Sequence, residues 1–143
     1  MLTTTTKRRP WWKWWLPVVA LILLLVYATK PAASQPQTNL LNNGCSQYNA
    51  TDLSSFFSNL NGTFSDLRGQ LSSGNTRFAT AQQARNSDPV YALAQCRDYL
   101  STVDCLACFD ASVRQIRNCS AANGARVIYD GCFLRFLSLS LST

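Results

Sequence analysis

Cys96-Arg97-Asp98-Tyr99-Leu100-Ser101-Thr102-Val103-Asp104-Cys105-Leu106-Ala107-Cys108 is the stretch on which the fold turns. Ser101-Thr102-Val103-Asp104 has the form of a capping box with Asp104 in place of the usual Glu, so a helix starts near Thr102 and runs to about Asn118. Phe109, Val113 and Ile116 mark its apolar side. On an ideal wheel of about 100° per residue, Cys108 and Cys119 fall within about 60° of Cys105, beside Phe109 and Ile116. Three cysteines therefore share the buried face, and if they are bridged, each reaches a different part of the chain.

The chain has six cysteines, Cys45, Cys96, Cys105, Cys108, Cys119 and Cys132, an even number that can pair completely. Complete pairing belongs to an oxidising compartment. Two other uses stand beside it. Cys105-Leu106-Ala107-Cys108 is a C-x-x-C at a helix start, where the dipole favours a thiolate, as in a thiol–disulfide oxidoreductase. Cys105, Cys108, Cys119 and Cys132 could also hold a structural zinc, although this would leave Cys45 and Cys96 unused.

Upstream, Leu53, Phe56, Phe57, Leu60, Phe64, Leu67 and Leu71 lie within about 60° of one line at helical spacing. They predict an amphipathic helix capped by Asp52 or Thr51 and ended by Ser72-Ser73-Gly74. Arg77 to Gln82 and Val90 to Arg97 read as strands about the turn Asn86-Ser87-Asp88-Pro89. Asn123-Gly124 is a turn signal, Ala125 to Tyr129 a strand and Cys132 to Leu139 another, with a bend at Gly131. The class is α+β, two helices on an antiparallel sheet. In the last strand, Phe133, Arg135, Leu137 and Leu139 alternate with Cys132, Leu134 and Phe136, so one set faces the core. The other set offers an apolar patch to an extracellular protein partner.

Residues 1–34 read as a secretory signal: a basic start at Lys7, Arg8 and Arg9, an apolar run from Leu16 to Ala28, then small residues with cleavage after Ser34. The alternative is an uncut membrane anchor, since Trp11 to Ala28 is interrupted only by Lys13. Either way the following domain lies outside the membrane. Residues 35–38 form a short linker and 39–143 the domain. The net charge of +6 divides into five basic residues before Gln35, then eight arginines against seven aspartates after it. A nearly neutral domain excludes nucleic acid held by phosphate contacts. Three sequons, at Asn49, Asn61 and Asn118, are possible glycan sites, with Asn49 and Asn61 ahead of Asn118.

With no histidine, the commonest general base and metal ligand is absent. The seven aspartates show no spacing that demands acid–base work, so they read as caps, turns and partners of arginines. These features predict a binding module rather than an enzyme, with no metal and no cofactor.

The spacing Cys96-x8-Cys105-x2-Cys108 resembles the signature of the plant ginkbilobin-2-homologous domain, also called stress-antifungal or DUF26. Asp104 to Cys108, Gly124-Ala125-Arg126-Val127 and Asp130-Gly131-Cys132-Phe133 extend the likeness over roughly residues 39–139. The resemblance implies two helices packed on an antiparallel sheet of about five strands, with bridges Cys45–Cys119, Cys96–Cys105 and Cys108–Cys132. It also implies a secreted, plant defence-type, antifungal protein of the single-domain kind, with carbohydrate, specifically mannose, as ligand. In the family the sugar is held by an Asn after the first cysteine, the Arg of G-A-R-V and a Glu five residues after the last cysteine. Here these positions are Ser46, Arg126 and Leu137, so only Arg126 matches. Read without the resemblance, Arg126 is equally a sheet arginine paired with an aspartate.

Overall fold

In the computed structural model, which describes residues 10–28 and 36–139, the chain forms two units on either side of residues 29–35. The first is a helix, α1 (Trp12–Ala28), of 17 residues with Pro17 inside it and Trp11 set edge-on to Trp15. No helix among the described residues is long and apolar enough to cross a membrane. The basic start at Lys7 to Arg9 and the expected cleavage point after Ser34 lie outside the described residues.

The second unit runs β1 (Leu40–Cys45), α2 (Leu53–Ser72), β2 (Phe78–Gln83), β3 (Val90–Cys96), α3 (Thr102–Ile116), a 3-10 turn (Arg117–Cys119), β4 (Gly124–Tyr129) and β5 (Cys132–Ser138). The strands form one antiparallel sheet in the order β1-β4-β5-β3-β2. β1 is the strand that pattern reading passed over. Its sequence, Leu-Leu-Asn-Asn-Gly-Cys, has no apolar alternation, yet it pairs along β4 with an irregularity between Leu40 and Asn42. An edge strand drawn in by a neighbour's hydrogen bonds needs no pattern of its own.

Both helices cover one face of the sheet, α2 over β2 and β3, α3 over β4 and β5. Alternation delivers Ala79, Ala92, Ala94, Val127, Leu134 and Phe136 to that face. They meet Phe56, Leu60, Phe64, Leu67 and Leu71 of α2 and Phe109 and Ile116 of α3. Phe136 sits at the centre, its ring 5.9 Å from Phe56 and 6.1 Å from Phe64. The α2 stripe is displaced from the expected line. Leu53 and Phe57 are exposed, while Ser55, Asn59 and Thr63 are buried on the other flank. The reason is Asn59, whose side-chain amide donates to the carbonyls of Arg85, Ser87 and Asp88 and whose oxygen accepts from the Arg85 N–H. The β2–β3 loop is thereby seated against the polar side of the helix.

Both helix starts follow their caps. Asp52 accepts from the N–H groups of Ser54 and Ser55, and Ser101 accepts from Asp104 N–H. α2 ends before Gly74, whose φ of 75° lies in the left-handed region that favours glycine. α3 stops at Ile116, short of the expected Asn118, because the chain tightens into the 3-10 turn that carries Cys119. Gly131 turns the β4–β5 hairpin where a Cβ would lie 2.7 Å from the Gln37 carbonyl oxygen. Gln37, placed in the linker on sequence grounds, is docked there: its carbonyl accepts from Gly131 N–H, and its side chain accepts from the Tyr99 hydroxyl.

Candidate functional site

Three disulfides join Cys45 to Cys119, Cys96 to Cys105 and Cys108 to Cys132, and no cysteine is free. Cys105 and Cys108 are thus bonded to two different strands and not to each other. A C-x-x-C arranged this way is not a dithiol couple, which removes the geometric basis of the oxidoreductase reading. The same bridges use the four sulfurs that the zinc reading requires.

The sheet face away from the helices is open. Register places Thr80, Leu93, Arg135, Arg126 and Gly44 in one row across all five strands. The next row holds Gln82, Tyr91, Leu137 and Gly124. Ser46, Arg126 and Leu137, far apart in sequence, line one groove of about 580 Å³ together with Arg135 and Phe133. A second groove of about 540 Å³, lined by Thr80, Gln82, Tyr91 and Leu93, shares Arg135 and Leu137 with the first.

Each position has a definite state. The Ser46 hydroxyl lies 2.5 Å from Asn123 Oδ1 and 2.8 Å from the Tyr48 carbonyl, so its single proton is committed inside the protein and its oxygen is left to accept. Leu137 lies over Gly124, where an added Cβ would stand 3.2 Å from Leu137 Cδ1, and it brings no polar atom to the groove. The side chain of Arg126 crosses over Gly44 towards Asn42, with its Nε 3.4 Å from Asn42 Oδ1. The expected aspartate partner is not there: none of the five strands contains an acidic residue. Facing Arg126 across the strands is Arg135.

The aspartates serve elsewhere. Asp88, 1% exposed, accepts from Thr51 N–H at 3.1 Å, Thr51 Oγ1 at 2.8 Å and Asp52 N–H at 2.6 Å. Burial pushes its carboxyl up, but these donors outweigh burial and hold it below the usual carboxylate range. Asp52 is also held low, chiefly by the Ser55 hydroxyl and then by the Ser55 N–H. Asp110 pairs with Arg68, joining α3 to α2 at the surface.

The family resemblance singles out Ser46, Arg126 and Leu137 but gives no binding role to Arg135, Tyr91 or Asn123. The β5 alternation put Arg135 beside Leu137, but it could not show which residue of β4 faces it. Of the sequon asparagines, Asn49 is exposed in a loop. Asn61 lies in α2, accepts from Arg117, and is followed by the fully buried Thr63. Asn118 is exposed in the 3-10 turn beside the bridged Cys119.

Residues 43–138 match the family described as salt stress response/antifungal. An antifungal ginkbilobin-like protein 1 of Picea glauca is 31% identical over 107 residues, covering 73% of this chain and 76% of the relative. The cysteine-rich repeat secretory protein 55 of Arabidopsis thaliana is 33% identical over 79 residues, covering 54% of this chain and 30% of that longer protein. Among solved structures, the tandem DUF26 ectodomain of the Arabidopsis thaliana cysteine-rich receptor-like protein PDLP8 aligns with a TM-score of 0.63 at 32% identity, over 71% of this chain and 49% of that one. With the matched segment running from β1 to the end of β5 and the sulfurs closed in three bridges, the chain belongs to the salt stress response/antifungal family, the ginkbilobin-2-homologous domains.

Proposed function

We propose that this domain is an extracellular defence-type binding module, delivered by its N-terminal segment, that takes carbohydrate on the open face of its sheet with Arg126 as the polar anchor. The observation that carries this reading is the convergence of Ser46, Arg126 and Leu137, from three separate strands and loops, on one groove. A guanidinium bound to a ligand oxygen contributes roughly 1.5–3 kcal/mol, enough for about tenfold or more in affinity. Mannose is the first saccharide to test, although Leu137 offers no acceptor where the family's carboxylate stands. Glycan arrays and mannan pull-downs with the purified chain decide the matter. Binding that Arg126→Ala abolishes supports the reading; absence of saccharide binding, or an Arg126→Ala variant that binds like wild type, removes it. No cofactor or metal enters the proposal, and glycan attachment is expected at Asn49 before Asn61.

A second reading takes the same face as a protein-binding surface. It is favoured by the exposure of Tyr91 and Leu137, paired across β3 and β5 on that face, which apolar contact with a partner would cover. Comparing the extracellular proteins that co-purify with wild type and with Leu137→Asp separates the two, since an unchanged set of partners counts against this reading.

A further inference from the structure

Arg126 and Arg135 form a directly opposed pair on β4 and β5, the second and third strands of the sheet. Opposed residues of an antiparallel pair hold their Cβ atoms about 4.5–5.5 Å apart, and like charges so placed destabilise the sheet. No strand residue carries a negative charge to offset that cost: all seven aspartates lie in helices, caps and turns, and among the described residues neither arginine makes an ion pair. Each guanidinium is a cation with five N–H donors in a planar fork. The open face therefore carries two adjacent positive charges in a domain that is otherwise nearly neutral.

The surroundings restrict what can satisfy the pair. Arg135 borders both grooves, with Leu93 on one side and Arg126 on the other, so a ligand reaching it can extend in either direction. Beside it Leu137 lies between Tyr91 and Gly124, giving the track an apolar floor and one aromatic ring with a polar tip. A polyphosphate chain, charged at every unit, gains little from such walls. An acidic peptide would bind most strongly by adding a strand to a sheet edge, but β1 and β2 are the edges and the arginines stand between them. A chain of sugar rings with carboxylates at intervals meets both requirements: carbon faces for Tyr91, Leu93 and Leu137, and carboxylates for bidentate arginine contacts.

We infer that Arg126 and Arg135 together bind the carboxylates of an acidic saccharide, an oligomer of hexuronate units lying across the two grooves beside Tyr91. This rests on the carbohydrate reading above and names its ligand class. Arg135 is the residue that sets the sign of charge the site prefers, and Leu137, by withdrawing a carboxylate from the groove, removes the repulsion such a ligand would otherwise meet.

The test is titration of the full chain by calorimetry with a short galacturonate oligomer, its fully methyl-esterified counterpart, neutral mannan oligomers, an acidic peptide and inorganic phosphate. Because the N-terminal segment is itself basic, Arg126→Gln and Arg135→Gln are compared with Arg114→Gln, an equal loss of charge on α3, away from the face. All three are surface substitutions, and retention of the three disulfides is checked by mass. The expected result is that the galacturonate oligomer binds, that esterification abolishes binding, and that each face variant weakens it about tenfold or more while Arg114→Gln does not. Raised salt weakens it further. If mannan binds as well as galacturonate and Arg135→Gln is silent, the acidic class is wrong while the carbohydrate reading survives. If no saccharide binds, both fall. Arginine-dependent binding of the peptide or of phosphate, without galacturonate, overturns the saccharide assignment.

Discussion

α2 meets β2 and β3 through Phe56, Leu60, Phe64, Leu67 and Leu71 and carries no sulfur, whereas α3 and the 3-10 turn after it reach β3, β5 and β1 through Cys105, Cys108 and Cys119. One helix is held by packing and by a carboxylate network at its start; the other is bonded to two strands, and the turn that follows it to a third. The difference teaches how a domain of this size divides its stability. α2 brings bulky aromatic side chains and can bury enough surface to hold its own place. α3 buries two bridged cysteines beside Phe109 and Ile116, so covalent closure adds to a smaller apolar area.

The largest way to break the comparison is to open the bridges. They close sequence separations of 74, 9 and 24 residues, which in the chain-entropy account contribute about 4.5, 2.5 and 3.5 kcal/mol. Together these rival the whole stability of an ordinary domain, about 5–15 kcal/mol. The fully reduced domain is therefore expected to unfold in water, read by circular dichroism in strong reductant. A reduced chain that keeps cooperative unfolding would mean that α3 is held by packing after all.

Next in size is the packing of α2. Phe56 is fully buried against Phe57 and Phe136, so Phe56→Ala should cost about 3–5 kcal/mol in a denaturant titration with all bridges intact. A loss below about 1 kcal/mol would show that the sulfurs, not the aromatic stripe, support both helices.

A smaller effect probes the carboxylates at the start of α2 by pH. Asp88 and Asp52 are held below their unfolded values, so their stabilisation is present above about pH 4 and is lost as pH falls through the lowered folded values. Asp88→Asn should lower stability at neutral pH and flatten the acid side of the stability–pH curve. Hydrogen-exchange protection at the start of α2 should fall in acid, and fall less in Asp88→Asn; protection that pH leaves unchanged would remove the carboxylate network as the support of that start.

The smallest effect concerns the start of α3, where Ser101→Ala removes a cap that bonds Asp104 N–H and should cost about 1 kcal/mol by thermal unfolding. Because the bridges hold α3 in place, the loss should appear as local fraying at Thr102 to Asp104 rather than as a displaced helix.

Much of this was legible before any coordinates. The helical periodicity of α2, the caps at Asp52 and Ser101, the β2–β3 and β4–β5 hairpins and the alternation of β5 follow from residue order. Each depends on neighbours a few positions apart, where bond geometry sets the spacing. The candidate site was legible only in part. Ser46, Arg126 and Leu137 entered through likeness to a family, and β1 was invisible because Leu-Leu-Asn-Asn-Gly-Cys has no apolar alternation and takes its conformation from β4.

Sequence by itself settled the class of the fold, the two capped helices over the sheet, and the presence of enough cysteines to staple it. Tertiary structure alone decided that Arg126 faces Arg135, that Asn59 seats the β2–β3 loop, and that Asp88 pins the start of α2. The physical reason is strand register. Sliding one strand by a single residue turns its side chains to the other face, and that choice is made jointly by every strand and bridge of the sheet.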